Sequence, residues 1–119
     1  MSSIEGLWSI DFETPLAGGG GVIVFETLRV FGGDAGRTFI GHYECKNNEL
    51  VGQVRVSSFL TKPEASVFND TNDFDLNVIG SLPVTFQIGA KFQLVGTRAD
   101  SKLPLLINFI KRAELPNAY

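Results

Sequence analysis

The chain has 119 residues, a formal net charge of −3, ten basic residues, one cysteine and one histidine. That length suits a single domain, residues 1–119, with one core. Scattered basic residues leave no stripe to follow a phosphate backbone, and the lone Cys45 excludes an internal disulfide and a cysteine zinc site. No run approaches the roughly 18 apolar residues that span a bilayer, and Met1 to Glu5 lack the basic start and apolar core of a signal peptide. A reducing, cytoplasmic setting is expected, with neither nucleic acid nor membrane as a direct partner.

Trp8, Ile10 and Phe12 alternate with Leu7, Ser9 and Asp11, the period of a strand with one buried face, which predicts a first strand over 6–13. The run from Gly18 to Gly21 reads as a flexible turn, followed by strands at 21–26 and 28–33. Ile23 and Phe25 alternate with Val22 and Val24, so the second strand is apolar on both sides. With Val22 and Val24 assigned to the core, Ile23 and Phe25 face outward. The run Phe31, Gly32, Gly33, Asp34, Ala35, Gly36 invites comparison with phosphate-binding loops, but 38–45 continues as a strand rather than a helix. It reads instead as a turn in which the glycines supply unusual backbone angles and Asp34 binds turn amides.

Strands at 37–46 and 49–59 flank Asn47 and Asn48, residues that tolerate the positive φ of a two-residue hairpin turn. Residues 60–73, with Pro63, Asn69, Asp70, Asn72 and Asp73, form the long connection, with at most one short helical turn. Strands at 74–80, 91–98 and 105–112 complete the set. Pro83 makes 80–90 either a bent edge strand or an extended hairpin tip. In the last segment Ile107 and Phe109 alternate with Asn108 after Pro104, a closing strand rather than a helix.

Eight strands joined by short turns predict an all-β, antiparallel up-and-down barrel, closed first strand to last so that no edge is left exposed. The expected interior is Trp8, Ile10, Phe12, Val22, Val24, Tyr43, Val54, Val56, Phe74, Leu76, Val78, Phe92, Leu94, Ile107 and Phe109. Ile23, Phe25, Leu106 and Ile110, on the other side of strands apolar on both faces, form the expected homodimer surface. His42 falls on the wet face and Cys45 on the apolar side, where it acts as an inert small hydrophobe. The pairs Asp11/Glu13 and Asp73/Asp75 read as solvated charge. No nucleophile, base and orienting group assemble from these residues, so neither an enzyme nor a cofactor or metal site is expected.

Across nearly its whole length the chain resembles the GrlR-type negative regulators of type III secretion gene expression in bacteria. The matching residues are Gly6, Leu7, Trp8, Ser9, Ile10, Asp11 and Phe12; Gly20, Gly21 and Val22; Gly32, Gly33 and Asp34; Gly41 with Tyr43; Ser66, Val67 and Phe68; and Lys111, Arg112, Leu115 and Pro116. The resemblance implies a lipocalin-like, dimeric, eight-stranded barrel. It further implies a cytoplasmic anti-activator that binds a helix-turn-helix transcription activator through an acidic run at a strand turn, a position occupied here by Lys46, Asn47, Asn48 and Glu49. The alternative function is a carrier or sensor of a small apolar ligand held in the barrel. Gly52, Gly80 and Gly96 on the apolar faces either open such a cavity or let neighbours such as Phe74 and Phe92 fill the space.

Overall fold

A computed structural model describes residues 3–13, 18–59, 73–99 and 104–117. Its strands are β1 (Gly6–Glu13), β2 (Gly18–Glu26), β3 (Arg29–Gly33), β4 (Arg37–Lys46), β5 (Glu49–Ser58), β6 (Phe74–Ser81), β7 (Lys91–Thr97) and β8 (Leu105–Ala113). Each pairs antiparallel with the next, and β8 returns to β1, closing an up-and-down barrel with no helix among the described residues. Residues 60–72, with the expected helical turn and the Ser66, Val67, Phe68 match, lie outside the described residues. Asn47 and Asn48 turn the β4–β5 hairpin at φ 55° and 62°, the paired positive angles of a type I′ turn. Thr27 and Leu28 do the same between β2 and β3 at φ 48° and 64°. Neither is a residue that favours this region, and Glu5 Oε1 accepts the Thr27 N–H at 2.8 Å.

Three readings of the local chain are corrected. Gly18 to Gly21 are strand, not turn: they stand opposite Glu13, Phe12, Asp11 and Ile10 in the β1–β2 register. Glycine carries no side-chain signal for a strand, yet its N–H and C=O pair in a ladder like any other residue's. Gly32, Gly33 and Gly36 do not have positive φ; among described glycines only Gly6 and Gly89 do. Gly32 is needed for close approach instead, since a Cβ there would collide with the Val22 carbonyl. Asp34 does bind the turn, its Oδ1 accepting the N–H groups of Gly36 at 2.9 Å and Arg37 at 2.8 Å. The segment after β6 is not an edge strand but the connection of the β6–β7 hairpin. It is a loop folded over one end of the barrel.

The orientation of β2 is the largest correction. Ile23 stands opposite Trp8 and Val24 opposite Leu7, and directly opposed residues share a face. Ile23 and Phe25 are therefore inside, with Ile23 4% exposed, while Val22 is 49% exposed and Val24 half-buried on the outer wall. Alternation could not decide between two apolar parities. The larger pair, Ile and Phe, removes more apolar area from water when it goes in.

Trp8 has no exposed surface and organises the interior, meeting Phe92 at 4.9 Å, Phe25 at 6.0 Å and Phe109 at 6.5 Å in edge-on geometry. Such aromatic pairs add about 0.5–1.5 kcal/mol each beyond the area they bury. Phe92 and Phe109 stack at 4.6 Å. One inward row, Tyr43, Gly52, Val78, Gly96 and Leu105, alternates large and small around the wall, which fits big side chains into a narrow barrel. At Gly96 the space is taken by Leu76, whose Cδ2 lies 3.0 Å from where a Cβ would be.

Urea unfolding checks the assignment of β2. Ile23→Ala is expected to cost about 2–5 kcal/mol and Trp8→Ala about 3–5 kcal/mol, whereas Val22→Ala should stay within about 0.5 kcal/mol. Equal losses at positions 22 and 23 would contradict the register.

Candidate functional site

Of the residues expected inside, Trp8, Ile10, Phe12, Tyr43, Val56, Phe74, Leu76, Val78, Phe92, Leu94, Ile107 and Phe109 are buried there, and Val54 packs half-buried against them. Val22 and Val24 are the exceptions. The side chains close on an apolar void of about 40 Å³ bordered by Ile10, Phe25, Val54 and Leu76 among others. Binding pockets for small molecules run to roughly 300–1,000 Å³. The barrel is filled.

One end of the barrel is sealed by two segments. The strap Ser3 to Glu5 crosses the opening: Trp8 Nε1–H donates to the Ile4 carbonyl at 2.8 Å and Lys111 Nζ donates to the Ser3 carbonyl at 2.7 Å. Lys111 has no exposed surface, and Glu114 supplies the carboxylate 3.0 Å from its ammonium. A buried cation requires such partners. Strand alternation from Ile107 and Phe109 already pointed Lys111 inward; its charge is what hid it. The second segment, Leu82 to Ala90, packs Phe86 edge-on to Trp8 at 6.3 Å and is pinned by backbone bonds from Leu82 to Asn48 and between Lys111 and both Gly89 and Ala90.

Between strap, loop and the β4–β5 turn runs an open groove of about 480 Å³ lined by Ile4, Cys45, Lys46, Asn47, Asn48, Leu82, Pro83, Val84 and Phe86. Lys46, Asn47, Asn48 and Glu49 are all exposed, the first three on the groove, and Glu49 is the turn's one carboxylate. Cys45, expected on the apolar side, follows Tyr43 in parity and stands opposite the buried Leu50, but is itself exposed at the groove. Partial desolvation in the groove raises its thiol pKa, which keeps the thiolate scarce at neutral pH. His42 is exposed on the outer wall, and among the described residues no three His, Cys, Asp or Glu side chains gather as metal donors.

The outer wall is not uniformly polar. Leu7, Val24, Phe31 and Ile40 oppose one another in turn across β1, β2, β3 and β4, with Val22 beside them. On the far side Val51, Ile79, Val95 and Leu106 do the same across β5, β6, β7 and β8. Between the two bands runs a polar row, Glu26, Arg29, His42, Gln53, Asn77 and Thr97. Of the expected dimer surface, Leu106 and Ile110 are on the outer wall, half-buried, while Ile23 and Phe25 are in the core. Their outward neighbours Val22 and Val24 are on the outer wall instead; Ile110 is one strand from Val22 across Ser9, whereas Leu106 belongs to the other band.

Comparison with protein-family models and with curated proteins finds no match.

Burial lifts the Tyr43 phenol to about 12, the nearby Cys45 and Glu5 charges adding to the rise and a backbone hydrogen bond with Leu28 opposing it. A folded pKa above the unfolded one means stability is whole below about pH 10 and declines as pH climbs toward 12. Urea unfolding should show wild type losing up to about 3 kcal/mol more than Tyr43→Phe over that window. Parallel pH profiles would refute it.

Proposed function

We propose that this protein acts by binding other proteins, as a cytoplasmic, non-enzymatic regulatory module built on a homodimer. The observation that carries this reading is the pairing of a filled interior with a band of large apolar side chains on the outside: Ile40 and Val22 are 56% and 49% exposed, with Leu7 and Phe31 beside them. Side chains of this size at the surface do nothing for the core, and contiguous exposed apolar patches on a monomer mark functional surfaces.

A second copy suits this band. Its flanks carry both signs, the Glu26–Arg29 pair at 3.4 Å and the Arg55–Asp75 pair at 3.3 Å, so a two-fold arrangement can set acid against base on both sides. With its flanks, the band would have to supply the roughly 800 Å² per partner of a stable interface. The polar row beside it is unlike the continuous lipid-facing belt of a membrane barrel, which favours a soluble setting.

The resemblance to GrlR-type regulators supports the same class of function, an anti-activator holding a helix-turn-helix activator away from DNA. In that reading the exposed Lys46 to Glu49 turn is the contact point, with Glu49 its single acidic residue. Carriage of an apolar ligand inside the barrel would require the void of about 40 Å³ to expand severalfold, at the expense of core packing.

Light scattering coupled to size exclusion tests the dimer. Wild type should run as a dimer at micromolar concentration and the Phe31→Glu, Ile40→Glu double variant as a folded monomer, with circular dichroism unchanged. A wild-type monomer at high concentration would overturn it.

A further inference from the structure

The far wall carries a second apolar band with different electrical surroundings. Val51, Ile79, Val95 and Leu106 stand side by side on four successive strands. Adjacent strands are about 4.8 Å apart, so the ridge is roughly 15 Å long. Val51 and Ile79 are 49% and 46% exposed. They belong to the outward parity, contribute nothing to the filled core, and sit four strands around the barrel from the band assigned to the dimer.

Charge separates the two walls. The second ridge ends against Glu44, opposite Val51, and against Glu13, opposite Leu106. Glu49 stands two residues from Val51 on β5, and Asp11 two residues from Glu13 on β1. Lys46 faces Glu49 across the hairpin, Lys91 and Arg112 lie further along β7 and β8, Arg112 bonded to Ser9, and the positions directly flanking the ridge, Gln53, Asn77, Gln93 and Asn108, are uncharged. Acidic groups at both ends disfavour a second copy of the same surface, because like charges would meet.

We propose that this wall binds an amphipathic, cationic helix of a partner protein. About ten residues of helix span 15 Å, so a helix with apolar residues at positions i, i+3 or i+4 and i+7 lays its stripe along the ridge. Lysines or arginines flanking that stripe then reach Glu13 and Asp11 at one end and Glu44 and Glu49 at the other, steering the encounter and fixing direction. The proposal rests on the reading of the protein as a protein-binding module and uses a wall that the dimer leaves free.

The test is amide-shift mapping on the isotope-labelled full chain, titrated with a synthetic leucine/lysine helix that is apolar along one face, and with the same peptide carrying glutamate for lysine. The expected result is saturable binding of the lysine peptide, with shifts centred on Val51, Ile79, Val95 and Leu106. Affinity should weaken with added salt and fall at least about tenfold in Ile79→Lys and in the Glu13→Lys, Glu44→Lys double variant. Shifts centred on the dimer band or the end groove, no saturation, or equal binding of the glutamate peptide would each overturn it. Oligomeric state, measured on the same samples, keeps the two readings apart. A dimer that ignores the peptide refutes this proposal alone, and a monomer that binds it refutes the dimer alone.

Discussion

Closure of β8 onto β1 is the constraint on which the rest depends. Once the sheet is a cylinder, every strand residue points either into a space of fixed volume or out into water, and no edge remains to adjust. A register step would turn a whole strand inside out. Trp8 shows the force of this. Its indole packs beneath the sealed end of the barrel among Phe25, Phe92 and Phe109, and its Nε1–H reaches the Ile4 carbonyl and so ties the strap across the opening.

A cylinder packed this way leaves an apolar void of about 40 Å³ among its described residues, and large side chains take up the space beside the inward glycines. Gly52 and Gly96 sit between Tyr43, Val78 and Leu105 in one row, so that large side chains interlock with gaps where the wall is smallest. The surplus apolar residues are then on the outside, in two bands on opposite walls separated by a polar row. Their surroundings differ: one is edged by paired acids and bases, the other ends in glutamates. The two walls of this one small domain therefore differ in chemistry.

Much of this was legible in the residues. All eight strands, their order and the Asn47–Asn48 turn follow from period-two alternation and turn chemistry, because a half-buried strand writes its geometry into every second residue. Alternation became uninformative where both parities are apolar, at Val22 to Phe25, and where neither has a side chain, at Gly18 to Gly21. Lys111 was missed for a third reason: its parity was right, and only its partners Ser3 and Glu114, one of them 108 positions away, make a buried ammonium tolerable.

The linear sequence therefore determined the strand content, the barrel and most of its lining, since these depend on spacing within a segment of a few residues. Tertiary structure alone decided which way β2 faces, that the interior is full, how Leu82 to Ala90 folds over the end, and that outward apolar residues of eight strands line up as two bands. Each of these is a relation between strands. Register carries it, and register is set when the closed sheet settles its packing, not by any one stretch of chain.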